Sequence, residues 1–192
     1  MSSAADGESM VKAVMKRTAT FVLGVDRIDR RIRLALVASL GVGIPFLGLP
    51  QWATGPLVNA LLLVTYLTCG LSDALVVGLV TPASALLRGV LPLPLAAMIP
   101  FIALGNASYV AVFHALHSRS RCGALGAAAG AKFAVLSLAV GALVAAAPPA
   151  LVPTPDLTPM MRLPQLYSAL AGGLWALGGA SLFAWVHDRG HG

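Results

Sequence analysis

Charged side chains are scarce in this sequence. Only 10% of its 192 residues are charged and 58% are hydrophobic, whereas soluble domains contain about 25% charged residues. A water-soluble fold of this size could not cover its surface with so few polar side chains, which excludes that class. The mean hydropathy of +0.85 indicates that lipid surrounds most of the chain. The sequence therefore predicts an integral membrane protein with one membrane domain.

Acidic residues, cysteines and recognisable catalytic motifs are also few. Asp73 is the only acidic residue between residues 34 and 155, which argues against a proton relay built from carboxylates. Cys69 and Cys122 are both expected near the cytoplasmic face, where a structural disulfide is not predicted. The sequence shows no phosphate-binding glycine loop, nucleophile elbow or metal-ligand spacing. We predict no catalytic residues, no metal and no cofactor, and hence no enzyme.

Basic residues are concentrated in the first 33 residues, which hold seven of the thirteen lysines and arginines. Few aromatic residues lie among them, so the positive charge does not point to nucleic acid. A basic cytoplasmic tail, residues 1–33, is what the positive-inside rule predicts. Within it, Val11–Ile28 has the spacing of an amphipathic helix on an anionic membrane surface; the alternative is a solvated segment without lipid contact. No cleavable signal peptide is expected, because the first long apolar stretch begins near Leu34.

Six apolar segments between residues 34 and 187 predict an all-α bundle of six transmembrane helices. The expected spans are Leu34–Leu49, Leu57–Cys69, Asp73–Arg88, Leu95–Leu116, Ala124–Ala147 and Gln165–His187. A turn, Pro50–Pro56, is expected between the first two, and residues 188–192 form a tail. The second and third spans are shorter than the ~20 residues of a perpendicular crossing. They must therefore be shielded by protein, or fail to cross completely.

The distribution of basic residues predicts the orientation. With the N-terminus inside, the inner segments hold ten basic residues and the outer segments hold two, Arg88 and Arg162. This asymmetry follows the positive-inside rule. We therefore expect a multi-pass protein of the cell (inner) membrane with both termini cytoplasmic.

Several polar side chains fall within the apolar spans, where a charge costs ~2.5–3.5 kcal/mol. The candidates toward the outer half are Asn59, Thr81, Arg88, Gln165 and Tyr167, with Asn106 deeper. Pro82 and Pro100 each interrupt a helical hydrogen bond, so we expect free carbonyls at about Gly78 and Ala96. Amides, a guanidinium and free carbonyls suit a small polar ligand in an apolar cavity. The set predicts a substrate pocket for a ligand with a carboxylate, a phosphate or a polar heterocycle.

The same polar residues also allow a purely structural interpretation. Asn59 and Asn106 could bond across helices, as polar residues in membrane bundles often do. Arg88 and Lys132 could extend toward lipid headgroups at either surface.

A stripe of small residues marks the first span. Ala35, Ser39 and Gly43 recur every four residues, which lets the backbone of another helix approach closely. The stripe could bind a partner, or it could pack within the same bundle.

Four stretches resemble the substrate-binding S component of energy-coupling factor transporters. They are Gly55–Asn59, Thr81-Pro82, Leu86–Gly89 and Met98–Asn106, and the resemblance covers about residues 34–187. It implies a subunit that binds a vitamin or a metal-related micronutrient from outside. It also implies a membrane coupling subunit and two cytoplasmic ATPase subunits as partners, with the S component toppling in the membrane to release its cargo.

The resemblance also suggests roles for particular residues. Ala35, Ser39 and Gly43 would contact the coupling subunit, and Pro50–Pro56 would be a flexible outer lid. The ligand contacts are our own inference from the polar residues named above. Two other functions remain open: a membrane anchor of a redox complex, with His114, His117 and His187 as possible haem ligands, and a small channel without a ligand.

Overall fold

The computed structural model describes residues 29–89, 96–146, 159 and 161–190, with side chains described as far as residue 182. The predicted amphipathic helix of the basic tail lies outside these residues. The helices are α1 (Arg30–Phe46), α2 (Gln51–Cys69), α3 (Leu71–Leu87), α4 (Ile99–Leu116), α5 (Arg121–Ala146) and α6 (Leu163–Gly190).

All regular secondary structure in the described part of the chain is helical. Three of the six helices, α2, α4 and α5, are long and apolar enough to cross a membrane, and α3 is a shorter apolar helix. The all-α prediction is therefore confirmed for these residues, and the three long helices are those expected of a membrane protein.

Helix α2 begins six residues earlier than predicted, which corrects the expected turn Pro50–Pro56. Pro50 is extended and caps the helix, and the Thr54 hydroxyl donates to the Leu49 carbonyl at 3.0 Å. Pro56 lies inside the helix, where it removes one backbone hydrogen bond, that to the Trp52 carbonyl, without ending the helix. The predicted flexible lid is therefore the first part of a helix of 19 residues.

The end of α2 follows the expectation from sequence. Gly70 has a φ of 99° and donates its N–H to the carbonyls of Thr65 and Tyr66. A positive φ costs glycine no steric clash, so a helix can end there within a single residue. Asp73, in the first turn of α3, does not cap the helix; its carboxylate accepts hydrogen bonds from Arg30 at 3.0 and 2.8 Å. These bonds raise the pKa of Arg30 and join the start of α1 to the start of α3.

The starts of α4 and α5 also differ from the expectation from sequence. Pro100 lies in the first turn of α4, where a backbone N–H has no helical partner in any case. The expected interruption at Pro100 is therefore wrong. Helix α5 begins at Arg121 rather than Ala124, so Lys132 lies near the middle of that helix and not close to its N-terminal end.

Helix α2 lies at the centre of the packing and contacts α1, α3, α4 and α6. Further contacts join α1 to α3, α3 to α4, α4 to α5 and α5 to α6. Helix α6 approaches α2 very closely: a Cβ on Gly172 would lie 2.8 Å from the Ala60 nitrogen and 2.9 Å from the Asn59 Cβ. This close approach places the N-terminal half of α6 beside Asn59.

One face of α1 packs on the bundle and the other does not. Val37, Gly41 and Pro45 are buried, whereas Ala35 and Ser39 are exposed. A Cβ added at Gly43 would meet no described atom within 4 Å. The small-residue stripe therefore faces away from the described helices, and the alternative that it packs inside the bundle is wrong for the described part of the chain.

Candidate functional site

A lysine lies in the interior of the bundle. Lys132 is only 3% exposed, and its Nζ donates to Asn59 Oδ1 at 2.6 Å and to Asn106 Oδ1 at 2.7 Å. Lys132 therefore points inward and joins α5 to α2 and α4. The interpretation in which it extends to lipid headgroups is wrong.

Hydrogen bonds donated by the amide nitrogens fix the direction of both asparagines. Asn59 Nδ2 donates to the Gly55 carbonyl at 2.9 Å and to Ser168 Oγ at 3.3 Å. Asn106 Nδ2 donates to the Gly78 carbonyl at 2.9 Å. Because the nitrogens face groups that accept hydrogen bonds, the amide oxygens must face the lysine. Both oxygens are thus held in place as acceptors for one amine.

The Gly78 carbonyl is available because of Pro82. A proline inside a helix has no N–H for the carbonyl four residues earlier, and Pro82 is inside α3. The expectation that the Gly78 carbonyl lacks a helical partner is confirmed, since it accepts a hydrogen bond from Asn106 on another helix. Gly78 also lets α4 come close: a Cβ there would lie 3.2 Å from the Asn106 Cβ.

Tyr109 and Ser168 complete the surroundings of the amine. The Tyr109 ring centroid is 5.8 Å from Lys132 Nζ, within the range of a cation–π contact. Its hydroxyl donates to the Ala169 carbonyl on α6 at 2.9 Å. We call Lys132, Asn59, Asn106, Ser168 and Tyr109 the Lys132 centre. It connects α2, α4, α5 and α6, with α3 attached through Gly78.

The Lys132 centre holds a basic amine whose described acceptors are neutral amide oxygens. Between residues 34 and 155 the only acid is Asp73, and its carboxylate binds Arg30. The other carboxylate among the described side chains, Asp29, caps the start of α1, so no described carboxylate is in place to neutralise the lysine. A charge in a low-dielectric interior is costly unless it is paired.

Two of the predicted ligand contacts lie elsewhere, on the side of α3 that faces α1. The Thr81 hydroxyl donates to the Val77 carbonyl of its own helix at 2.7 Å, and it borders Gly41 of α1. Arg88 donates to the Pro45 carbonyl and lies over the Phe46 ring, 5.8 Å from its centroid. Both residues help to attach α3 to α1.

The two remaining predicted contacts lie at the start of α6. The Gln165 carbonyl accepts a hydrogen bond from the Ser168 hydroxyl at 3.0 Å, so this residue borders the Lys132 centre. Tyr167 is 64% exposed and points away from the core. The structure thus brings Asn59 and Asn106 together, with Gln165 at the edge.

The sequence indicated that Lys132 needs polar partners. Because Lys132 was expected close enough to the membrane surface to reach lipid headgroups, the two asparagines were not identified as those partners. A lysine inside a helix of 26 residues, rich in alanine and glycine, cannot bury its charge without polar partners. Asn59 and Asn106 are the only two asparagines in the chain. The sequence therefore offered two candidate partners for a buried lysine, but it did not show which helix faces meet.

A second polar cluster joins α2 to the end of α4. The Tyr66 hydroxyl lies 2.9 Å from His114 Nδ1 and 3.3 Å from His117 Nδ1. The two imidazole rings are stacked, with centroids 5.9 Å apart. Among the described side chains, which do not include His187, no group of three or more His, Cys, Asp or Glu is placed to hold a metal ion.

Comparisons with known proteins add no further information on function. No known protein family, curated protein or solved structure matches this chain.

Proposed function

We propose that this chain is the membrane-embedded substrate-binding subunit of an energy-coupling-factor-type importer for a vitamin-like small molecule. Its six helices cross the cell membrane with both termini in the cytoplasm, and a coupling subunit with two ATPase subunits supplies the energy. The observation that supports this proposal best is the Lys132 centre, which gathers polar groups from four helices around one buried amine.

The lysine is what distinguishes this centre from ordinary structural hydrogen bonding. Two asparagines could bond to each other across α2 and α4 without a cation, as polar residues in membrane bundles do. A lysine adds about 2.5–3.5 kcal/mol of unfavourable transfer free energy at the middle of a spanning helix. A group placed inside a membrane at this cost marks a candidate functional site. Binding of a small polar solute is the simplest function for such a site.

The open face of α1 supports the proposed association with a coupling subunit. Ala35 and Ser39 are exposed and Gly43 has no described neighbour on its Cβ side. Small residues at this spacing let two helices approach closely enough for extensive van der Waals contact in lipid. The sequence has no nucleotide-binding motif, so transport against a gradient would need the energy of a partner.

Substrate binding can be tested with the purified full-length protein. We expect mass spectrometry of an extract to find one small molecule that co-purifies in near-stoichiometric amount. Asn106→Ala should lose that molecule, because it removes an acceptor from Lys132 and the partner of the Gly78 carbonyl. Ser181→Ala is the matched control, since that exposed hydroxyl bonds only within its own helix among the described residues. Wild-type protein that carries and binds no small molecule would refute the proposal.

Partner binding can be tested by filling the small-residue stripe. Gly43→Leu places a bulky side chain on the open face of α1, and Gly126→Leu does the same on α5, where a Cβ also meets no described atom within 4 Å. When the protein is co-expressed with a coupling subunit and both ATPase subunits of its host, we expect Gly43→Leu alone to abolish co-purification. Equal co-purification of the two variants would contradict the assigned interface.

A further inference from the structure

We propose that the substrate carries an anionic group, a carboxylate or a phosphate, and that the Lys132 ammonium is the group that binds it. This inference rests on the proposed function, because it names the chemical class of ligand that the same site takes.

The charge balance of the centre is the first argument. Lys132 is buried with two neutral acceptors, and Asp73 is already paired with Arg30. The described part of the chain thus holds a buried basic amine without a counter-charge. An anionic ligand would supply that counter-charge and offset the unfavourable burial of the ammonium, which neutral amides do only in part.

The hydrogen-bond geometry is the second argument. A lysine ammonium has three N–H donors, and the bonds to Asn59 and Asn106 use two of them. Each asparagine is locked by a hydrogen bond to a glycine carbonyl, so the ammonium is held in one position before a ligand arrives. In the ammonium form that an anion would favour, one donor remains among the described contacts, and a preorganised, charge-assisted bond to the anion would use it.

A neutral or cationic ligand fits this arrangement less well. Asn59 donates both of its amide N–H groups, Asn106 donates one of its two, and the Tyr109 hydroxyl donates to Ala169. Lys132 is therefore the one described donor of the centre that can carry a positive charge. A cationic ligand would be repelled by Lys132, and a neutral ligand would leave its charge uncompensated.

Matched acid and neutral compounds provide the test. Full-length protein in detergent is titrated calorimetrically with nicotinate and nicotinamide, biotin and biotinamide, and pantothenate and panthenol, and with the molecule that co-purifies. We expect an acid to bind and its neutral counterpart to bind about 10- to 100-fold more weakly, the ratio for losing one charged hydrogen bond. Lys132→Met should weaken binding of the acid by a similar factor, and Lys132→Arg should keep the preference for the acid.

Each outcome of these titrations either supports or contradicts the binding of an anionic group by Lys132. If a neutral compound binds as tightly as its acid, if the co-purifying molecule is neutral or cationic, or if Lys132→Met binds the acid like wild type, Lys132 is only a structural link between helices. The proposed function then stands without this inference. If wild-type protein binds no compound and no small molecule co-purifies, the inference and the proposed function both fail. The comparison of acid and neutral compounds on wild-type protein does not depend on whether a variant folds.

Discussion

Asn106→Ala should destabilise the protein far more when Lys132 is present than when it is replaced by methionine. In wild type the substitution removes a charge-assisted hydrogen bond from Lys132, about 1.5–3 kcal/mol, and a neutral bond to Gly78, about 0.5–1.5 kcal/mol. In the Lys132→Met background only the neutral bond and the small cavity are lost. The difference between the two effects, the coupling free energy, should therefore be about 1.5–3 kcal/mol.

The four proteins of this double-mutant cycle can be compared by equilibrium unfolding in SDS and mixed micelles. The terms for the cavity and for Gly78 cancel in the cycle, so the coupling reports on the contact between Lys132 and Asn106. Ser181→Ala combined with Asn106→Ala serves as a control pair, which we expect to be additive within about 0.5 kcal/mol.

A low coupling free energy would refute this reasoning. Hydrogen bonds between neutral side chains in membrane bundles average about 0.6 kcal/mol. A coupling at or below that value would mean that Lys132 does not act as a charged donor. Lys132 would then offer no positive charge for an anionic ligand to neutralise, even if the hydrogen bond itself exists.

Three further results follow from the packing. Gly172→Ala should lower stability by about 1–3 kcal/mol, because the added Cβ lies 2.8 Å from a backbone nitrogen of α2; Gly178→Ala on the open side of the same helix should be neutral or slightly stabilising by thermal unfolding. Asp73→Asn should lower the melting temperature at low salt and remove most of its salt dependence, because it breaks the ion pair with Arg30; an unchanged salt dependence would contradict this. Arg88→Ala should weaken the attachment of α3 to α1 and lower stability while leaving ligand binding intact, and a loss of binding at full stability would place Arg88 in the site.

Much of the fold followed from composition and local pattern. The scarcity of charge predicted a membrane protein, and the apolar segments predicted the helices. Gly70 ended α2 and Pro82 freed the Gly78 carbonyl, as local backbone chemistry requires. The start of α2 did not follow, because proline and glycine near a helix start are compatible with both a turn and a helix.

The site followed from the sequence only in part. Asn59 and Asn106 were predicted correctly as interior polar groups, but the sequence does not show which helix faces meet. Helix α5 is apolar on all sides, so its pattern does not reveal which way Lys132 points. Arg88 and Thr81 looked equivalent to the asparagines, yet they lie on the side of α3 that packs against α1.

The sequence by itself determined that lipid surrounds the chain and that the chain is helical. It has too few charged residues for a water-soluble surface, and its apolar segments are suited to lipid. Glycine and proline lie where the backbone turns or loses a hydrogen bond. Only the tertiary structure decided that Lys132 meets two amides 73 and 26 residues away in the chain. The physical reason is that lipid accepts every apolar face equally well. The rotation of each helix about its axis is therefore set by close packing at residues such as Gly172 and by the need of one buried amine for polar partners. Local sequence patterns predict neither of these contacts.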